Sequence, residues 1–230
     1  MEMSMWLVEA LFPRFCFGCA KEGAWWCETC RESYPMEMPK AVCPFCQEEG
    51  SHRACHACRQ ETFLDGLLAL FLYGDPVVRK VLTTWKYVGD KEAKQIVERW
   101  VRQRADVIAP WCRDSVMVPV PLHVSKRHSR GFDQAQEMVR MVNEEVGGRS
   151  QDLLFRCRRT LPQARRRQEE RLVGDLDGIF RVAGDVPERV VLCDDVFTSG
   201  ATMDAAAKCL KEHGAKEVTG LVIARGSVGA

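Results

Sequence analysis

The sequence has almost no excess charge: 33 Lys and Arg stand against 32 Asp and Glu over 230 residues, a formal net charge of +1. A balance this even excludes a strongly basic nucleic-acid coat, and with 46% hydrophobic residues the chain is no disordered tail. Low-complexity tracts and a glycine period are absent, which excludes a collagen-like repeat. No apolar run approaches the roughly 20 residues needed to cross a bilayer. The first residues, MEMSMWLVEALFPRF, lack the basic n-region, long apolar core and small-residue cleavage site of an export signal. The expectation is therefore a cytoplasmic protein whose thiols stay reduced. A chain of this length suits one large α/β domain or a medium domain with a small appendage.

Cysteine is abundant instead, with twelve in all. Eight fall in the first quarter as four C-x2-C pairs: Cys16 with Cys19, Cys27 with Cys30, Cys43 with Cys46, and Cys55 with Cys58. Two residues between thiolates let both sulfurs of a tight turn face one metal ion, and two such turns complete a tetrahedral zinc site. Reduced thiols in this pattern predict two structural zinc ions. Pairing the turns in sequence needs only two short hairpins, while spacing alone does not exclude interleaved pairing of the RING type. His52 and His56 lie nearby, but eight thiolates already fill two tetrahedra, so both read as exposed loop residues. Closed four-thiolate sites leave no open coordination position, so the metal is expected to hold the fold and do no chemistry. Of the four isolated cysteines, Cys193 and Cys209 read as small buried hydrophobes.

From about Phe63 the pattern turns to α/β, which places a boundary between a zinc-binding module at 1–60 and a larger domain at 61–230. Trp6, Leu7, Ala10, Leu11 and Phe12 open the module as a short amphipathic turn. Phe63 to Tyr73 reads as a strand, and Asp75-Pro76 starts a helix because Asp caps and proline suits the first helical position. Gly89-Asp90 divides it from a second helix with an apolar stripe at Ala93, Ile96, Val97, Trp100 and Val101. Strands are predicted over Ser115 to Val120, Leu153 to Cys157, Val190 to Cys193 and Glu217 to Ala224. Helices are predicted around Phe132 to Val142 and over Ala201 to His213. Strands separated by helices imply a mostly parallel sheet with helices on both faces, its sites in loops beyond the strand C-termini.

The most informative window is Val190 to Thr202, VVLCDDVFTSGAT. An apolar strand runs into Asp194 and Asp195, then into Thr198, Ser199, Gly200, Ala201 and Thr202 at the start of a helix. Small residues let backbone amides approach an anion, hydroxyls donate, and the helix N-terminus adds a favourable dipole. Adjacent carboxylates would repel a phosphate and instead suit vicinal hydroxyls. Together the two halves match a ribose 5-phosphate. There is no G-x4-G-K-[ST] and no G-x-G-x-x-G after a strand, and a receiver-type acidic cluster would sit near an N-terminal strand.

This window resembles the phosphoribosyl pyrophosphate signature of type I phosphoribosyltransferases. With WKYVGD (Trp85 to Asp90), VPVPLH (Val118 to His123) and SRGFDQA (Ser129 to Ala135) behind four C-x2-C pairs, nearly the whole chain resembles the ComF family of bacterial DNA uptake. The resemblance implies a double zinc ribbon followed by a type I phosphoribosyltransferase-like domain acting in natural transformation. It implies Mg²⁺ with phosphoribosyl pyrophosphate, and catalytic roles for Asp194, Asp195 and Arg130. Lys86, Lys126 and Arg127, beside His128, are the pyrophosphate-binding candidates. Implied partners are phosphoribosyl pyrophosphate or a nucleotide, single-stranded DNA, a ComFA-type DNA-translocating ATPase and recombination proteins. Two motifs depart from the family pattern: Asp133 stands where R-G-F-N-Q has Asn, and Leu172 and Asp175 replace the Arg and Asn of R-x-x-N.

Seven Arg against three acids between Gln151 and Arg171 read as a flap over the substrate, as the resemblance implies, as a track for a nucleic-acid backbone, or as a solvated loop. Two functions therefore remain: Mg²⁺-dependent transfer of a 5-phosphoribosyl group to a nitrogenous acceptor, or a non-catalytic module for single-stranded DNA or nucleotides that keeps the pocket.

Overall fold

A computed structural model describes residues 13–122, 132–157 and 178–226. The core is a five-stranded, wholly parallel sheet in the order β1-β7-β6-β2-β3. Its strands are β1 (Gly66–Leu72), β2 (Val116–Pro119), β3 (Arg149–Ser150), β6 (Arg189–Phe197) and β7 (Glu217–Arg225). A separate antiparallel pair is made by β4 (Leu154–Arg156) and β5 (Phe180–Val182), with Phe155 opposite Arg181. The predicted strand over Leu153 to Cys157 thus exists but lies outside the main sheet.

Period-two alternation sorts each central strand between two cores. Leu68, Leu70, Met117, Val191, Cys193, Leu221 and Ile223 face one layer. After the short α1 (Glu28–Ser33) near the N-terminus, it is built of α2 (Pro76–Val88), α3 (Lys91–Gln103) and α5 (Gln134–Val146), with the short α4 (Ala105–Cys112) beside them. Leu67, Ala69, Val116, Val118, Val190, Leu192, Val218 and Val222 face the other, made by α6 (Ala201–Glu212) and the β4–β5 pair. Both faces are therefore covered, as a parallel sheet requires.

Local signals account for the helix ends. Asp75 accepts from the amides of Val77 and Val78 at 2.8 and 3.0 Å, and Gly89 closes α2 at φ +65°. Asp90 caps α3 through the Ala93 amide at 2.9 Å, and the stripe Ala93, Ile96, Val97, Trp100 and Val101 is buried throughout.

The eight N-terminal sulfurs form two tetrads, Cys16, Cys19, Cys27 and Cys30, then Cys43, Cys46, Cys55 and Cys58, each with its ligand atoms within 4.8 Å of one another. Pairing is therefore sequential, and neither histidine joins a tetrad. His56 is exposed, whereas His52 is half-buried edge-on to Trp111 with ring centroids 6.1 Å apart, so its reading as an exposed residue is corrected. The halves repeat each other. Ala20 and Gln47 turn at φ +60° and +63°, and the Cys27 and Cys55 amides reach the Cys16 and Cys43 sulfurs at 3.4 and 3.3 Å.

These donors fit a zinc ion. A tetrahedron of roughly 2.3 Å Zn–S bonds sets sulfurs about 3.8 Å apart, and Cys19–Cys27 and Cys46–Cys55 each lie at 3.6 Å. Burial alone would raise the Cys16 thiol, but amides of Cys27, Cys19 and Gly18 aimed at its sulfur bring it down to about 6. Cys43 is likewise brought to about 6 against burial by the amides of Cys46, Cys55 and Phe45. Burial and the crowd of neighbouring sulfurs push Cys30 up to about 12. Four thiolates this close need a cation between them.

The tetrads dock differently. The first packs on the helical layer: Trp26 meets Trp100 edge-on at 5.4 Å, and Glu92 of α3 takes the Trp25 amide at 3.0 Å and the Arg14 guanidinium at 2.8 Å. The second is fastened to the sheet. The Leu67 amide donates to His52 O at 2.8 Å, Ala54 to Asp65 O at 3.0 Å, and Arg53 pairs with Glu217.

Candidate functional site

β6 does not stop at Cys193 as its apolar run predicts. It continues to Phe197, pairing Asp194 with Val222 and Phe197 with Arg225. The acid pair therefore lies inside a central strand; alternation starts the two side chains on opposite faces, yet their carboxylates stay within electrostatic reach of each other. Asp195, only 6% exposed, faces the helical layer, where Lys86 near the end of α2 reaches its Oδ2 at 2.5 Å. Asp194 follows Leu192 toward the other layer, where the guanidinium of Arg156 on β4 lies within electrostatic reach.

Asp194 is half-buried and closely surrounded. Desolvation first, and then the neighbouring Asp195 charge, push its carboxyl up to about 8, although the Asp195 amide bonded to its Oδ1 at 2.8 Å and the Lys86 charge pull it back. Asp133 adds repulsion. It is itself buried as the N-cap of α5, accepting from the amides of Ala135 and Gln136 at 3.1 and 3.5 Å. The acid at this position thus keeps the acceptor that the helix start requires and adds negative charge near Asp194. Burial lowers the Arg156 pKa, and Asp194 opposes that shift. Its guanidinium lies 5.7 Å from the centre of the Phe180 ring.

Beyond Phe197 the chain turns through exposed Thr198 and Ser199 into Gly200 at φ +80°, and Ala201 begins α6. Among the described residues no side chain caps this helix. Its first-turn amides are left for an outside acceptor, together with the positive end of the helix dipole. A Cβ on Gly200 would stand 2.5 Å from Phe197 Cζ and 3.2 Å from Phe45 Cε1, so the turn requires glycine for both backbone and space.

The structure thus unites Lys86, Asp194, Asp195 and the Thr198–Thr202 turn at the C-terminal end of β6. Lys126, Arg127, His128 and Arg130 lie outside the described residues, as do the N-terminal amphipathic turn, Leu172, Asp175 and nearly all of the arginine-rich stretch. Arg156 is the described exception, and its place beside Asp194 has no sequence signal beyond general basicity. Asp133 carried one, an acid directly before a helical run.

The elevated Asp194 carboxyl predicts a pH effect. The folded protein holds a proton to about pH 8 that the unfolded chain, with a carboxyl near 3.8, has already released. The stability this proton confers is full below the unfolded value and is lost as pH rises through the folded one. Between about pH 6.5 and about pH 8.5 the loss is about 2 kcal/mol, roughly 4–8 °C in melting temperature. Calorimetry of the zinc-loaded protein checks this, and Asp194→Asn should remove most of the slope.

A family model described as the phosphoribosyl transferase domain matches residues 115–229, half of the chain. The chain is 27% identical over 198 residues to Competence protein ComFC of Bacillus subtilis (strain 168), covering 82% of this chain and 78% of that one. To Competence protein ComFC of Streptococcus pneumoniae (strain ATCC BAA-255 / R6) it is 24% identical over 195 residues, covering 84% of each. Among the described residues no helix is long and apolar enough to cross a membrane.

Proposed function

The chain belongs to the phosphoribosyl transferase domain family and is ComFC-like along most of its length, and from that premise we propose that it binds phosphoribosyl pyrophosphate with Mg²⁺ and transfers the 5-phosphoribosyl group to a nitrogenous acceptor. The observation that carries this reading is β6 itself: two acids, one held by Lys86, followed directly by an uncapped glycine turn opening α6. The turn takes the 5-phosphate and the acids take the ribose diol.

In the ligand-free protein Lys86 neutralises Asp195. An incoming pyrophosphate offers the ammonium a more highly charged acceptor, so Lys86 shifts toward the leaving group and Asp195 is freed for a ribose hydroxyl. Asp194, whose carboxyl is raised to about 8 and so carries its proton at neutral pH, meets a hydroxyl as donor through its O–H and as acceptor through its carbonyl oxygen. Among the described residues Asp133, Asp194 and Asp195 do not gather their oxygens into one metal-binding set, so Mg²⁺ is proposed to come bound to pyrophosphate oxygens, where it would neutralise charge building on the leaving group. Lys126, Arg127 and Arg130 are proposed to close over the same group, by family resemblance.

The zinc ribbon is proposed as a docking surface for a DNA-translocating ATPase and recombination proteins, which places the activity in competence, the role named for both relatives. The test is pyrophosphate release from phosphoribosyl pyrophosphate with Mg²⁺ and a panel of bases. Release is expected, and the double variant Asp194→Ala/Asp195→Ala should reduce it to background. Ligand binding without release, beside salt-sensitive capture of single-stranded DNA, would replace transfer with the binding-module reading.

A further inference from the structure

The two zinc-binding tetrads are near copies in backbone, yet among the described residues the aromatic ring that reaches the phosphate turn comes from the second. In the first knuckle, Cys16 to Cys19, the aromatic residue is Phe17, stacked on Trp25 at 5.0 Å and 15°. In the second, Cys43 to Cys46, it is Phe45, one position later in the turn. That offset turns its ring away from the module and onto Phe197, with centroids 6.4 Å apart at 66°. Phe45 Cε1 also borders the space beside Gly200, where a Cβ would stand 3.2 Å away.

The backbone of Phe45 is fixed by the metal site, because its own N–H is directed at the Cys43 sulfur. Phe197 is fixed from the far side, where its carbonyl accepts from the Gly226 amide at 2.8 Å. A second tie reinforces the first, since Asp204 of α6 accepts from the amides of Phe63 and Leu64 at 2.7 and 2.9 Å. The chain leaving the second tetrad is thereby held to the helix that the turn opens.

The geometry points to Phe45 as a positioning residue for the phosphate turn: the second cysteine tetrad holds its ring against Phe197 and Gly200, so that this metal site orders the turn while the first serves only the helical layer. The inference rests on the turn being the phosphate site proposed above. A turn with two exposed hydroxyl residues and a glycine has little apolar contact of its own and is ordered by what packs beneath it.

The test compares Phe45→Ala with Phe17→Ala in the full zinc-loaded chain. The readouts are zinc content, affinity for ribose 5-phosphate by calorimetry, and amide hydrogen exchange across 198–203 without ligand. For Phe45→Ala the expected result is two zinc ions retained, exchange in the turn about tenfold faster, and ribose 5-phosphate about tenfold weaker. Phe45→Leu, which keeps an apolar contact, should recover most of both effects, and Phe17→Ala should move neither by more than about twofold. Unchanged exchange in Phe45→Ala, or an equal rise in Phe17→Ala, overturns the inference. If the unmodified protein does not bind ribose 5-phosphate, the functional reading fails while the exchange comparison still decides the role of Phe45. If Phe45→Ala does not fold, Phe45→Leu carries the comparison with an expected effect of about two- to threefold, and no effect counts against it.

Discussion

Stripping both zinc ions is expected to unfold the N-terminal module and release its aromatic contacts with the rest of the chain. Each structural zinc contributes an apparent 10–16 kcal/mol in small zinc modules, roughly the whole stability of a typical domain. Little in the module replaces it. Among its described residues the regular structure is one helix of six residues, Glu28–Ser33, one 3-10 turn, Cys58–Gln60, and isolated bridges such as Phe15 with Glu22. Without a cation, the low-pKa Cys16 and Cys43 leave negative charge facing three neighbouring sulfurs in each tetrad.

A tight chelator under reducing conditions should therefore release about two zinc ions per chain and shift tryptophan emission to the red, because Trp26 leaves its place against Trp100. Cys27→Ser and Cys55→Ser separate the two sites. Each should lower zinc to about one per chain, but only Cys27→Ser should disturb Trp26. Two zinc ions retained in Cys27→Ser, or no change in emission after metal removal, would falsify the structural role of the tetrads.

The parts of the fold readable from sequence were those fixed within a few residues. Asp75-Pro76 and Asp90 announce helix starts because capping is a contact over two or three positions, and the stripe from Ala93 to Val101 announces its buried face by spacing alone. The tetrads were readable as ligand sets but not as pairs, since pairing is decided by hairpin geometry. Strand β6 was readable only to Cys193, because two acids in a row look like the beginning of a loop. What carries the strand onward is not local: Val196 and Phe197 find partners in Ala224 and Arg225, nearly thirty residues away. The same holds for β5, whose partner β4 lies across the arginine-rich segment, and for Arg156, whose relation to Asp194 exists only once β4 has folded over the sheet. The Lys86–Asp195 pair was half readable. WKYVGD marked the lysine by resemblance, but the partner is set by how α2 lies on β6. Phe45 carried no signal, because nothing in a C-x2-C turn tells which way an aromatic between the ligands will point.

Replacing Gly200 with alanine is expected to weaken ribose 5-phosphate binding by at least about a hundredfold while leaving the fold standing. Two costs combine. At φ +80° an L-residue is strained by about 1–2 kcal/mol. The new methyl would also lie 2.5 Å from Phe197 Cζ, an overlap of the kind that costs roughly 1–3 kcal/mol in a packed interior. The protein can escape either cost by rotating the turn. That moves the amides of Ser199 to Thr202 off the anion, and a pocket that positions charge loses most of its affinity through a displacement of about 1 Å. Phe197→Leu added to Gly200→Ala removes the overlap but not the backbone strain, so it should recover part of the loss, about tenfold. Gly226→Ala is the neighbouring control. Its Cβ would meet Phe197 O at 3.7 Å and Thr198 Cα at 3.8 Å, ordinary contact distances, so affinity should stay within about twofold. Calorimetric titration with ribose 5-phosphate reads all three variants. Wild-type affinity in Gly200→Ala would mean that the phosphate is held elsewhere, and the assignment of this turn as its site would be wrong.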